Sequence, residues 1–274
     1  MSKSSAVLLS ALLVLAVAPL QSTVEENIYF DDFESYDSNT FPSYGGWEML
    51  LDGLGNQYQI VTDLRAYQGS KSLQLCGKWE PPKGIQPVLV QKKFTTQANY
   101  VGFEVSLLLE AGGQIGPSGG VSVGLYNRGM GDPSFGRWWI MVHFVSAQRI
   151  GLNVESRAIG DWQLGVWYRV KVILDKKSNT CTVWINDALS GKGTAVSSQD
   201  MSTYDYLFNA LALSSDLTGI KAYYDNVRVF ILASFTTSQS TTSVLTSTSP
   251  STPDSSAIII GLVAVALIVG TVVA

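Results

Sequence analysis

The stretch WYRVKVILD, residues 167–175, is followed after a four-residue turn by TCTVWIN, residues 180–186. In the first run, every second residue from Tyr168 to Leu174 is apolar, which is the period-two pattern of a strand with one buried face. Further strand-like runs occupy residues 101–109, 120–126, 137–145, 209–215 and 223–230. We find no convincing amphipathic helix of three turns between these runs. The pattern predicts an all-β fold of two packed antiparallel sheets.

The two ends of the chain have a different composition from the middle. Residues 1–22 contain one lysine and then an apolar run over 6–18, a layout typical of a secretory signal peptide. An uncleaved N-terminal anchor is the alternative. Residues 257–274, AIIIGLVAVALIVGTVVA, carry no charge and are long enough to form a transmembrane helix. A hydrophobic tail of this kind also fits a signal for a lipid anchor, in which case it would be absent from the mature protein.

A Ser/Thr-rich segment lies between the predicted domain and the membrane segment. Sixteen of the 23 residues from 234 to 256 are Ser or Thr, so this segment has too little apolar surface to fold and is expected to be an extended stalk. The predicted order is a signal peptide (1–22), a sandwich domain (23–233), a stalk (234–256) and a transmembrane anchor (257–274). This order predicts a cell-surface protein with its domain outside the cell.

Charge and cysteine content exclude some functions and leave others open. The formal net charge of −4 gives no basic surface for nucleic acid. With one histidine, His143, the chain has no Cys/His zinc spacing. The two cysteines, Cys76 and Cys181, either form a disulfide, which an exported protein permits, or remain buried free thiols.

Four stretches together carry a resemblance to a known superfamily. They are IYFDDFESYD (28–37), AYQGSKSLQL (66–75), GVWYRVKVILDKKSNTCTVWINDAL (165–189) and YYDNVRVF (223–230). In their order and spacing they resemble the concanavalin A-like lectin/glucanase superfamily, in particular its laminin-G-like domains. The resemblance implies a two-sheet antiparallel jelly-roll sandwich whose last strand lies beside its first.

The resemblance also implies a structural calcium ion at the edge where the first and last strands meet. The matching residues here are Asp31, Asp32 and Asp225, and carboxylate oxygens are suitable calcium ligands. No clustered Asp-x-Asp-x-Asp loop supports this prediction. The alternatives are solvated carboxylates at strand ends, or Asp225 accepting hydrogen bonds from backbone amides.

Ligand binding in this superfamily relies on aromatic and polar side chains on the concave sheet and its rim. In the run 137–145, residue parity predicts that Arg137, Trp139 and His143 share one face, opposite to Ile140. Glu104 is a further candidate, because its carboxylate could face another carboxylate on a neighbouring strand. The predicted ligand-binding residues are Trp139, Arg137, His143, Glu104, Tyr126 and Asn127.

Catalysis is not predicted. Glucanases of this superfamily carry the motif Glu-x-Asp-x-x-Glu along one strand, which places two carboxylates on one face, and this motif is absent here. The sequence therefore favours a surface recognition module that binds a glycan or another surface protein. The alternatives are a glycoside hydrolase or polysaccharide lyase of the same fold, and a structural coat or adhesion subunit without a small-ligand site.

Overall fold

Alternating apolar residues form strands along most of the middle of the chain. The computed structural model describes residues 22–53, 55–80, 82, 84–111, 120–127, 137–145, 147–153, 158–194, 210–215 and 220–235. The strands within these residues are β1 Ser22–Asp31, β2 Trp47–Asp52, β3 Ile60–Thr62, β4 Ser72–Cys76, β5 Lys78–Glu80, β6 Gly84–Gln86, β7 Val88–Lys93, β8 Tyr100–Ala111, β9 Gly120–Asn127, β10 Arg137–Val145, β11 Arg149–Leu152, β12 Ala158–Asp161, β13 Trp167–Asp175, β14 Thr180–Ile185, β15 Ala188–Thr194, β16 Ala210–Ser215 and β17 Ile220–Phe235.

The strands form two antiparallel sheets. The eight-stranded sheet has the order β15-β14-β13-β8-β17-β4-β3, and β1 also pairs with β17. The seven-stranded sheet has the order β12-β11-β10-β9-β16-β7-β2, and β5 pairs with β6 as a separate hairpin. The predicted all-β sandwich of two antiparallel sheets is confirmed.

The core lies between the sheets and follows the alternation read from the sequence. Along β13, Tyr168, Val170, Val172 and Leu174 are buried, and the residues between them are partly exposed. The same core cluster contains alternate residues of β9 in the other sheet, such as Val123. Because a strand alternates its faces, each residue between two core residues lies on an outer face of the sandwich.

The last strand returns beside the first, as the resemblance implied. Residues 227–235 of β17 pair with β1, in a register that sets Asp31 opposite Val227. Residues 221–224 of β17 pair instead with β4. A register shift between Asp225 and Arg228 marks the point where the neighbour changes.

The predicted end segments fall almost wholly outside the described residues. Strand β1 begins at Ser22, the last residue assigned to the signal peptide, and β17 runs two residues into the segment assigned to the stalk. The rest of the signal peptide, the rest of the stalk and the membrane segment lie beyond what the structure describes, so these predictions stand as predictions. In the part of the chain that is described, no helix is both long and apolar enough to cross a bilayer.

Candidate functional site

The outer face of the seven-stranded sheet has small side chains at its centre. In β9, Val121, Val123 and Leu125 point into the core, so the residues between them face outward. The register sets Ala212 of β16 opposite Gly124 of β9. The outward residues of these two central strands are Gly120, Ser122, Gly124, Tyr126, Ala210, Ala212 and Ser214. The centre of the face is therefore a shallow depression, bordered by larger side chains on β7 and β10.

A β-bulge in β10 places Trp138 on this face. The β10–β9 register shifts between Trp138 and Ile140, and Trp138 lies opposite Tyr126. The two rings make an edge-to-face contact with centroids 5.2 Å apart. The parity count that placed Arg137 and Trp139 on the face of His143 does not hold across this shift. The side chains of Arg137 and Trp139 lie outside the described part of the structure, so their predicted role in binding stays a prediction.

Tyr126 and Trp138 have different access to solvent. Tyr126 is fully buried, packed in a cluster with Leu89 and Ala212, whereas Trp138 packs against that cluster and is partly exposed. Tyr126 belongs to β9, where its ring supports the ring of Trp138. Asn127 ends the same strand and is 7% exposed.

His143 lies on the outer face of β10, in register with Ser122 of β9 and Gly151 of β11. Its imidazole covers Gly151, where an added Cβ would lie 2.2 Å from Nε2. Burial lowers the pKa of His143 below its ordinary value. At neutral pH the ring is therefore uncharged, and it offers one donor and one acceptor. Trp138, Met141 and His143, which we call the β10 row, are partly exposed side chains on the outer side of this strand.

Gln91 lies on β7, on the side of this depression opposite to β10. It lies on the outward side of β7 and is 2% exposed. Its Nε2 donates to Oε2 of Glu48 at 2.8 Å. Its Oε1 accepts no hydrogen bond from any described residue. Glu48 also forms an ion pair with Lys93. A buried amide oxygen without a partner is costly, so a ligand hydroxyl that reached it would be favoured.

Glu104 does not lie on this face. It belongs to β8 of the eight-stranded sheet, where its carboxylate contacts Arg228 at 2.5 Å and Arg169 at 3.3 Å. Arg228 also reaches Glu25 of β1. The structure therefore places Tyr126 and His143 of the predicted ligand-binding set on one outer face, about four residues apart along β9. It places Glu104 in an ion-pair network on the other sheet.

The three predicted calcium ligands are engaged by hydrogen-bond donors. Asp31 is buried, and its Oδ2 accepts from the Tyr36 hydroxyl (2.7 Å), the Trp47 indole (2.8 Å) and the Lys92 ammonium (2.9 Å). Its Oδ1 accepts from the backbone N–H of Phe33 at 3.2 Å. A carboxylate surrounded by donors, one of them a cation, is poorly arranged to bind a second cation.

Asp225 is completely buried and is bound by backbone amides. Its Oδ2 accepts from the N–H groups of Tyr67 (2.7 Å) and Gln68 (3.0 Å), and its Oδ1 from that of Asn226 (2.7 Å). Burial raises the pKa of Asp225, and these amides oppose the rise. Asp32 accepts from the N–H of Glu34. No group of three or more potential metal-ligating side chains occurs among the described residues. These contacts do not fit a calcium site, and calcium binding stays a sequence prediction.

Comparisons with known proteins show the fold. No protein-family model and no curated protein matches the chain. Among solved structures, a sialidase superposes with a TM-score of 0.50 at 11% identity, over 75% of this chain and 18% of the sialidase chain. The chain has the concanavalin A-like fold. Other solved structures that superpose on the chain are an endo-β-1,3-glucanase from Pyrococcus furiosus (TM-score 0.45, 13% identity, 80% of this chain and 100% of that chain) and the carbohydrate-binding module CBM66 from Bacillus subtilis (0.38, 13%, 71% and 98%).

At these identities, the similarity to solved structures establishes only the fold. The function has to be argued from the side chains of the site. Sequence reasoning missed Trp138 and Gln91. Both tryptophans were visible in the sequence, but simple alternation did not place Trp138 on this face, because a bulge cannot be read from parity. No sequence pattern around Gln91 indicated its place in the site, because its position depends on Glu48 of a neighbouring strand.

Proposed function

We propose that this domain is a carbohydrate-recognition module that binds a glycan along the β10 row. The observation that carries the proposal is the partly exposed Trp138, held by the buried ring of Tyr126 on the same outer face as His143. Sugars present apolar C–H faces that pack on an indole, and their hydroxyls need side chains that both donate and accept. The neutral imidazole of His143 is such a group. The names of several solved structures of this fold, a glucanase and a carbohydrate-binding module among them, agree with a carbohydrate ligand.

Binding without hydrolysis is the expected behaviour. A glycosidase needs two carboxyl groups about 5–10 Å apart across the sugar. Among the described residues of β7, β16, β9 and β10, the outward positions include no Asp or Glu, and Glu48 of the neighbouring strand β2 is engaged by Gln91 and Lys93. We therefore expect no release of reducing ends from any glycan that binds. Release of reducing ends, or of unsaturated products from a uronic-acid polymer, would instead support a hydrolase or a lyase.

The test compares two tryptophan variants on a glycan array. Trp138→Ala removes the platform, and we expect about tenfold weaker binding, or roughly 1.4 kcal/mol. Trp167→Ala is the matched control, because Trp167 is a partly exposed tryptophan of the other sheet that contacts Tyr67. A parallel array with a chelator tests the calcium prediction, and the contacts of Asp31 lead us to expect unchanged binding. Equal binding by both variants would contradict the proposed site.

A structural coat or adhesion subunit is the second candidate. It is favoured by the burial of Leu89, Tyr126 and Ala212, which fill part of the outer face with the protein's own side chains. Failure of the wild-type chain to bind any glycan would favour this candidate.

We also propose that the domain is tethered at the cell surface by the stalk and the C-terminal apolar segment. The support is the sequence of residues 1–22 and 234–274. Protease treatment of intact cells should release the domain, and N-terminal sequencing of the product should begin close to Ser22. An intact chain protected from external protease would contradict this arrangement.

A further inference from the structure

The turn that follows β1 and the loop that precedes β4 are tied together by a carboxylate. The turn is residues 32–37 and the loop is residues 66–71, and both lie in stretches that carry the superfamily resemblance. Oε1 of Glu34 accepts the backbone N–H groups of Ser70 (2.7 Å) and Lys71 (2.8 Å), and its Oε2 accepts the hydroxyl of Ser70 (2.7 Å). We call these two segments the β1–β4 junction.

The β1–β4 junction lies where the resemblance implied a calcium ion. Of the three implied ligands, Asp31 ends β1 and Asp32 begins the turn. Asp225 accepts the backbone amides of Tyr67 and Gln68 in the loop. The carboxylates of Asp31 and Asp225 are thus already bound by donors of the chain itself.

The cation at this junction is the side chain of Lys71. Its Nζ donates to the backbone carbonyl oxygens of Glu34 (3.0 Å) and Tyr36 (2.7 Å), two residues of the turn. Phe33, just before them, has a left-handed φ of 60°, which an aromatic residue rarely adopts, and the chain reverses there. The two carbonyl oxygens therefore converge on one point, and backbone carbonyls of this kind are ligands that a hard cation takes.

We propose that the ammonium of Lys71 is a built-in substitute for the structural calcium ion that the resemblance implied. Both cations bring positive charge to oxygen atoms of the turn, but the ammonium is attached to the loop and needs no ion from solution. Asp31 has a similar partner in Lys92, whose Nζ lies 2.9 Å from its Oδ2. The edge of the sandwich then stays closed at any calcium concentration. This inference does not depend on the proposed glycan site.

Two other roles for Lys71 predict different responses to cations. If calcium bound beside the lysine, the ammonium would repel it, but calcium would still stabilise the wild type. If Lys71 were an ordinary surface lysine, its removal would cost little. Only a substitute cation predicts that the wild type ignores calcium while a variant without Lys71 gains from it.

Thermal unfolding of the full-length chain in detergent tests the proposal. Lys71→Ala removes the ammonium and the methylene groups beyond Cβ, which together have the size of propylammonium. In the presence of a chelator we expect the melting temperature of this variant to fall by about 5 °C, because two hydrogen bonds from a charged donor are lost. Calcium chloride in excess over the chelator, or propylammonium chloride, should restore at least half of that loss. The wild type should respond to neither.

Lys93→Ala is the matched control, because Lys93 is 57% exposed and pairs with Glu48, outside the junction. Its melting temperature should change little and should not respond to either cation. Sodium chloride at equal ionic strength corrects for screening. If Lys71→Ala does not fold, Lys71→Gln is measured with calcium and the same expectation, because it keeps a donor for the carbonyl oxygens but has no charge.

Three results overturn the proposal. It is wrong if calcium stabilises the wild type beyond the sodium chloride control, if loss of Lys71 leaves the melting temperature unchanged, or if neither cation restores the variant. Restoration by calcium or by propylammonium supports it, because either one puts back the missing positive charge. The melting temperature is measured without any glycan, so this proposal and the proposed function can fail separately.

Discussion

At the scale of single residues, Asp225 shows why a buried carboxylate stands in the last strand. Strand β17 changes its neighbour from β4 to β1 at this position, which interrupts the ladder. The carboxylate accepts the N–H groups of Tyr67 and Gln68, in the loop that leads into β4. Of the alternatives left open by the sequence, backbone amides are the partners that the structure provides for Asp225.

Adjacent lysines on β7 allow a matched test of the buried ion pair with Asp31. Lys92 is 16% exposed and pairs with Asp31, whereas Lys93 is 57% exposed and pairs with Glu48. Lys92→Met leaves the buried carboxylate without its cation and should lower the free energy of unfolding by about 3 kcal/mol. Lys93→Met should change it by less than about 1 kcal/mol. Urea denaturation measures both, and similar losses would show that the pair with Asp31 has no special role.

The single histidine gives a clean dependence of stability on pH. Burial holds the pKa of His143 in the folded protein below its ordinary value of 6.5, so the unfolded chain gains a proton first as pH falls. The contribution to stability is complete above pH 6.5 and is lost as pH falls from 6.5 toward the folded pKa. We expect the melting temperature of the wild type to drop between pH 7.5 and 5.5, and His143→Gln to drop less. Parallel curves for the two proteins would mean that His143 is as solvated in the folded state as in the unfolded chain.

At the scale of elements, two β-bulges shape the outer face of the seven-stranded sheet. The β10 bulge places Trp138 on this face beside Tyr126, and the β2 bulge lies where Leu50 and Leu51 pack against the same cluster. Both bulges lie in the seven-stranded sheet. The regular strands carry the core, and the irregular positions provide the side chains that a ligand can reach.

Gly124 is the position through which the β10 bulge can be tested. A Cβ at Gly124 would lie 1.9 Å from the carbonyl oxygen of Ile140, so the two backbones must separate to accept alanine. Gly124→Ala should lower the free energy of unfolding by about 1–3 kcal/mol and alter Trp138 fluorescence. Gly160→Ala is the control, because its Cβ would meet Ile150 at 3.5 Å, an ordinary contact. An unchanged spectrum and stability in Gly124→Ala would contradict the close approach of the strands.

At the scale of the whole molecule, the sheet order separates the two cysteines. Both are buried, and neither forms a disulfide. Cys76 is in β4 and Cys181 in β14, and three strands, β13, β8 and β17, lie between them. Four steps of about 4.8 Å give roughly 19 Å, well beyond the limit of about 7 Å between Cα atoms of a disulfide. The structure therefore supports two separate thiols and not a disulfide.

A thiol-specific reagent should find both cysteines only after unfolding. Burial raises the pKa of Cys76 to about 11, which further reduces its reactivity. We expect no rapid labelling of the native protein, two labelled thiols per chain in denaturant, and a melting temperature that reductant does not change. A fall in the melting temperature with reductant would reveal a disulfide and contradict the sheet order.

The sequence by itself determined the strands, the sandwich and the concanavalin A-like fold. Period-two patterns such as that of residues 167–175 are local and are enforced by burial of one face, so they survive in the structure. The resemblance added the pairing of the first and last strands. The order of the remaining strands was not readable, because a pairing partner distant in sequence leaves no mark on a single segment.

Only the tertiary structure decided the site. A bulge depends on the neighbouring strand, so alternation alone could not place Trp138 on the outer face. Glu104 faces Arg228 because β8 lies beside β17, and Asp31 faces Lys92 across the sandwich, so neither partner was visible nearby in the chain. The partners of these side chains depend on which strands are adjacent in the sheets. The order of the strands is in turn determined by burial of the whole core.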